Sequence, residues 1–101
     1  MAKLIVVSWR DIPAQVIAKQ GRRSAKVLLS QRFQHAIDRA AMRAKRKEAD
    51  AYMADWSRGE HRECGDDLQA EAEAEAARLE ASYDDALLDL LARQKGLASP
   101  D

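Results

Sequence analysis

Apolar residues stand together near the start of the chain, at Leu4-Ile5-Val6-Val7. A short continuous run of this kind, mostly β-branched and bounded by polar residues, predicts a buried strand within residues 1–10. The turn Asp11-Ile12-Pro13 ends it, because Pro13 cannot donate to a ladder. Residues 14–19, centred on Val16 and Ile17, predict a second strand. Gln20-Gly21-Arg22 follows as a turn in which Gly21 supplies the permissive backbone. Residues 25–29 (AKVLL) form a third strand or the first turn of the next helix.

The period then changes. After Ser30, a good N-cap, the residues Phe33, Ala36, Ile37, Ala40, Ala41 and Ala44 fall at helical spacing and predict one apolar stripe through residue 45. Arg32, Arg39, Arg43 and Arg46 share the opposite face. Residues 45–50 (KRKEAD) are a charged connection. Tyr52, Ala54 and Trp56 alternate, which predicts a short strand within 51–58, with a helical turn as the alternative. Residues 57–65 read as a charged loop.

From Asp66 nearly to Gly96 the composition is helix-forming, and Asp66 or Asp67 caps the start. Ala72, Ala76, Leu79, Tyr83, Ala86 and Leu90 repeat at alternating spacings of four and three, the seam that coiled helices use. Gly96 sits where a C′ glycine belongs, and residues 97–101 are a frayed tail. Roughly 30 residues at 1.5 Å each make a helix of about 45 Å. A compact domain of this length is about 35 Å across. The helix therefore overhangs, breaks or pairs with a second copy. Residues 79–91 are expected to pack, and residues 60–74, which offer mainly alanine, to be loose.

These elements predict an α+β fold: a small antiparallel sheet of three or four strands, one covering helix at 30–45, and a long acidic C-terminal helix. The expected organisation is a sheet-and-helix core at 1–58, a charged loop at 59–65 and the helix at 66–96, all in one domain. The expected core is Leu4, Val6, Val16, Val27, Leu29, Phe33, Ile37, Ala40, Trp56, Leu79, Tyr83 and Leu87.

Composition narrows the class. A chain of 101 residues is one domain on length. Its single cysteine, Cys64, excludes an intrachain disulfide. The Leu4–Val7 run is too short for a signal peptide or a membrane span, so the expected location is the cytoplasm, without a membrane partner. Net charge is zero, yet residues 1–50 hold 12 Lys/Arg against 4 Asp/Glu and residues 51–101 hold 5 against 13. Either the acidic half folds over the basic half, or a basic face meets nucleic acid or another acidic partner.

Candidate chemistry is sparse. Trp9-Arg10-Asp11 at a strand end is either a packed corner or a recognition corner. In the second case Trp9 supplies flat apolar area and Arg10 a planar fork for carboxylate or phosphate. Trp56 on a neighbouring strand would make a pair with Trp9. In Glu60-His61-Arg62-Glu63-Cys64, His61 and Cys64 have metal-ligand types at i, i+3, but a structural zinc site needs four ligands. A nucleophilic Cys64 would need a base and a pocket. His35, off the Phe33–Ile37 stripe, reads as a surface residue. Asp66-Asp67 and Asp84-Asp85 diverge around a helix and make no shared-proton dyad. No phosphate loop, dinucleotide fingerprint or nucleophile elbow is present, so no catalytic residue and no cofactor are expected.

Residues 1–44, with DAYMADWSR after them and Trp9-Arg10-Asp11-Ile12-Pro13 as the most recognisable part, resemble a family of small bacterial proteins carrying the virulence factor domain. The resemblance covers residues 1–58. It implies an accessory or scaffolding role, and company with folate- and corrinoid-linked methyl-transfer proteins. The reading is a non-catalytic protein-binding module. It docks on a larger partner, or on itself, through residues 79–91, with Leu87 and Leu90 central and Trp9, Arg10, Asp11 and Trp56 as a second contact. The alternatives are an RNA- or ribosome-associated protein using Arg22, Arg23, Lys26, Arg32, Arg39 and Arg43, and a small metal-binding protein built on His61 and Cys64.

Overall fold

The computed structural model describes residues 2–45, 48–59 and 61–98. Met1, Arg46, Lys47, Glu60 and residues 99–101 lie outside them, and with them Arg46 of the α1 arginine face, Glu60 of the His61/Cys64 cluster and part of the expected tail. The fold is α+β. β1 (Ala2–Trp9), β2 (Ile12–Gln20) and β3 (Arg23–Leu28) form an antiparallel meander. α1 (Gln31–Arg43) and α2 (Ala49–Ala54) follow, then β4 (Trp56–Arg58), β5 (Arg62–Cys64), α3 (Leu68–Ser82) and α4 (Asp85–Arg93). The order is β3-β2-β1-β4, with β5 pairing antiparallel to the first half of β1.

The three long strands stand where the apolar runs put them. The first turn is Arg10-Asp11 rather than Asp11–Pro13, and Pro13 lies inside β2, where the register slips by one residue opposite Val7/Ser8. The expected strand over 51–58 is a helix and a strand: Tyr52 belongs to α2, and only Trp56–Arg58 pair with β1. β5 replaces part of the expected loop, giving five strands among the described residues instead of three or four.

The long C-terminal helix breaks. α3 ends at Ser82, and Asp84 starts α4 by accepting a hydrogen bond from Leu87 N at 2.8 Å. The break removes the overhang and holds the chain to 40 × 28 × 23 Å. It also changes which helix covers the sheet. α3 lies across β2 and β3, while α4 packs along α1. Residues 68–74 are therefore not loose: Leu68 and Ala72 are buried with Ala76 and Leu79, because alanine lets the α3 backbone approach the sheet closely. Asp67 caps α3 through Ala70 N, whereas Ser30 makes no side-chain cap on α1.

α1 buries the stripe expected of it, Phe33, Ala36, Ile37, Ala40 and Ala41. Leu4, Val16, Leu29 and Leu79 are buried as well, and Val6, Val27, Trp56, Tyr83 and Leu87 pack half-buried against them. Beyond that expectation, the core includes Trp9, Ile12, Leu88 and Leu91. Ile5 and Ile17, partners across β1 and β2, are buried apart from this cluster, on the face away from α3.

Glu75 of α3 is the buried carboxylate of the fold, bound by Arg78 and, at 3.0 Å, by Arg62 of β5. The hydrogen bond from Arg78, with further help from Arg62, holds its pKa below the ordinary value despite burial. A depressed folded-state pKa contributes stability above the unfolded pKa, and that stability is lost as pH falls through the folded value. Urea midpoints measured from about pH 6 to about pH 3 should therefore fall for the wild type. They should fall less steeply for Glu75→Gln, which starts lower at neutral pH. Equal slopes would show that Glu75 does not carry this acid sensitivity.

Candidate functional site

The Trp9-Arg10-Asp11 corner is packed rather than displayed. Trp9 is fully buried, stacks on Tyr52 with ring centroids 5.9 Å apart, and donates from Nε1 to the Tyr52 carbonyl at 2.9 Å. It therefore has no face to offer a partner, which corrects the recognition-corner expectation. Arg10 has a positive φ of 53° and lies over the Trp9 ring. Its side chain meets Asp55 at 3.3 Å and the Lys95 carbonyl at 2.9 Å. Asp11 accepts from Ala98 N at 2.7 Å, and its own N–H donates to Gly96 O at 2.9 Å. The corner thus ties β1 to the end of α2 and to the chain after α4.

The basic face of α1 is likewise largely engaged. Arg32 reaches the carbonyls of Tyr83 and Glu80 and the carboxylates of Glu80 and Asp85, at the break between α3 and α4. A guanidinium at a helix C-terminus satisfies carbonyls that lack intrahelical donors. Burial pushes the Glu80 carboxyl up, but Ser30 N–H, the Ser30 hydroxyl and Arg32 outweigh it, and its pKa is lowered. Arg39 pairs with Asp89 at 3.0 Å. These pairs lay the acidic half against the basic half. Arg43 is exposed with no ionic partner among the described residues.

α4 turns Leu88, Leu91 and Ala92 inward. Leu87 is half-buried and Leu90 is 43% exposed. The apolar face expected to dock on a partner is thus mostly covered by α1 of the same chain.

His61 is exposed just before β5, and Cys64 sits half-buried opposite Ala2 of β1. Burial, and after it Glu71 and Asp66, push the Cys64 thiol up. That lowers the thiolate fraction that nucleophilic or metal-binding chemistry requires. Among the described residues, no group of three or more His, Cys, Asp or Glu is placed to hold a metal ion, and no helix is long and apolar enough to cross a membrane.

The surface feature that sequence reasoning missed lies where the sheet meets α1 and α2. Register places Arg58, Val7, Gln15 and Leu28 in one row across β4, β1, β2 and β3, on the face away from α3. Val7, Gln15 and Leu28 floor a groove of about 480 Å³, walled by Gln31 and Gln34 of α1, Met53 of α2 and Trp56 of β4. Among the described residues that line it none is ionised, in a chain with 34% charged residues. Leu28 is 75% and Met53 63% exposed. Of the expected site residues, only Trp56 belongs to this groove. The available signal was the pair Leu28-Leu29: two leucines in sequence at a strand end point oppositely, so one must leave the core. Leu29 is buried and Leu28 is the outward one.

Neither the curated proteins nor the solved structures include a match to this chain. The match to a family model reaches well beyond the 1–58 segment, through α3 and into α4. Covering residues 7–92, it places the chain in the family described as Virulence factor.

Proposed function

We propose that this chain is a non-catalytic protein-binding module whose docking surface is the groove between the sheet and the α1/α2 corner. One observation carries the reading: a concave, uncharged surface with Leu28 and Met53 exposed on an otherwise ionic molecule. Exposed apolar concavities rimmed by polar residues mark sites where partners bury apolar side chains. The groove replaces the α4 face as the primary contact, because α1 already occupies most of that face. The first partners to test are the folate- and corrinoid-linked methyl-transfer proteins that the family resemblance suggests. Against an RNA-binding role stands the engagement of Arg32 and Arg39 by the chain's own acids. Burial of Trp9 also removes the stacking pair that such a role would use.

The test is affinity capture from the native host at low and moderate salt, with the wild type beside Leu28→Asp. At an exposed edge-strand position this change costs about 1 kcal/mol of stability, so the variant stays folded. The reading expects a stoichiometric protein partner that survives moderate salt and is lost with Leu28→Asp. Capture unchanged by the substitution would remove the groove as the docking surface.

A further inference from the structure

β3 is an open edge. It pairs with β2, and no strand among the described residues lies on its other side. In an antiparallel ladder, residues alternate between those that bond inward and those whose N–H and C=O point away. Leu29 N donates to Ala14 O at 3.0 Å, which fixes the alternation. Residues 25 and 27 share the inward parity of Leu29, so Ser24, Lys26 and Leu28 direct their backbone groups at the free edge. The same three residues carry their side chains on the face away from α3, and the row of Leu28 runs into the groove.

Cations gather on this side of the sheet. Lys3 and Lys19 stand directly opposite each other on neighbouring strands, a like-charge pairing, while on its other side Lys3 stands opposite Glu63 of β5. None of Lys3, Lys19, Arg23, Lys26 and Arg58 has an ion-pair partner among the described residues. By contrast Arg10, Arg32, Arg39, Arg62, Arg78 and Arg93 are all paired. Lysine on an edge strand also blocks unwanted strand pairing. That role alone does not account for a leucine left 75% exposed at the end of the same edge, beside an uncharged groove.

We infer that β3 receives an extended acidic segment of a protein partner as an added strand, with one apolar side chain of that segment seated in the groove. Three features fit such a ligand. Outward backbone groups at three alternate positions supply the ladder. Lys19 and Lys26 supply complementary charge on the groove's face. The groove, with the side-chain amides of Gln15 and Gln31 at its wall and floor, supplies the apolar pocket that sets register. The inference deepens the binding-module reading and rests on it.

The test is selection of peptides from a displayed random dodecapeptide library on the full chain, followed by affinity measurement on variants. Lys26→Gln removes charge and keeps the edge. Lys26→Pro removes the charge and the outward N–H while sparing the inward bonds to β2, a placement that edge strands tolerate. The expected result is enrichment of extended peptides with acidic residues and one apolar residue spaced two apart, so that they share the face of Lys26 and Leu28. Lys26→Pro should weaken them by at least about tenfold, clearly more than Lys26→Gln, and Leu28→Asp should weaken them as well. Peptides sensitive to Leu28→Asp but indifferent to Lys26→Pro would overturn strand addition and leave the groove reading standing. If no peptide is enriched, or the enriched ones ignore both positions, strand addition is overturned, and the groove stands or falls on the capture experiment. Polyuridylate bound in preference to any peptide, and weakened by Lys26→Gln, would overturn the choice of a protein partner.

Discussion

Trp9→Ala should lower the unfolding free energy by about 3–5 kcal/mol, the cost of removing a fully buried large aromatic. Domains of this size have about 5–15 kcal/mol in total, so the variant should be largely unfolded or melt far below the wild type. The loss exceeds that of a simple cavity because Trp9 joins segments distant in sequence. Its ring stacks on Tyr52, its Nε1 holds the Tyr52 carbonyl, and Gly96 packs on its edge. Gly96 has φ +85°, and a Cβ there would stand 2.9 Å from Trp9 Cζ3. Gly96→Ala should therefore destabilise in the same direction, through strain and through displacement of the ring. Urea unfolding followed by tryptophan fluorescence checks the glycine variant, and circular dichroism checks the variant without Trp9. A Trp9→Ala protein that melts within a few degrees of the wild type would contradict the packed-corner assignment.

Arg32→Ala should cost about 2–3 kcal/mol, since charge-assisted hydrogen bonds to Glu80 and to two carbonyls are lost together. The value stays below that of a fully buried pair because both Arg32 and Glu80 keep about a third of their side-chain exposure. The effect should be local. The α3–α4 break is held by Arg32 from one side and by the Asp84 cap from the other. Hydrogen exchange should therefore show the amides of residues 80–88 losing protection first, with β1 and β2 much less affected. Arg32→Lys should recover only part of the loss, because an ammonium cannot span the fork of carbonyls and carboxylates that the planar guanidinium spans. Uniform loss of protection across the chain would show that Arg32 acts on global stability alone.

The parts of this fold legible in the sequence are those whose information is local. β1 and β2 announce themselves through β-branched runs, and α1 through a stripe with the right period. The break between α3 and α4 was not legible, because Tyr83 continues the seam and neither glycine nor proline interrupts it. Asp84-Asp85 reads in the sequence as a pair of acids, whereas Asp84 caps α4 and Asp85 meets Arg32, about 50 residues away. α2 and β4 are not separable in the sequence, because Tyr52 and Trp56 satisfy both periods, two and four. β5, with three residues, is too short to show any period.

The candidate site divides in the same way. The sequence leaves Trp9 open to both a packed and a displayed corner, because it ends a strand beside charged residues, while the segments that bury it come from α2 and from the end of the chain. The groove is assembled from β1, β2, β3, α1, α2 and β4, each contributing one or two side chains, so no single window of sequence carried it. Charge was informative only in part. The opposed halves predicted contact between them, and Arg32, Arg39 and Arg10 make it. That Lys3, Lys19, Lys26 and Arg58 share the sheet face away from α3 emerges only from the strand register.

The central claim is that a protein partner docks on the groove and not on α4. Photo-crosslinking in the native host, with a benzophenone amino acid placed at Met53 in one protein and at Leu90 in another, tests it most directly. Both side chains are exposed, 63% and 43%, so both variants should keep the fold. The account predicts a discrete protein adduct from position 53 and none from position 90. An adduct from position 90 alone would contradict it and return the docking surface to the last helix.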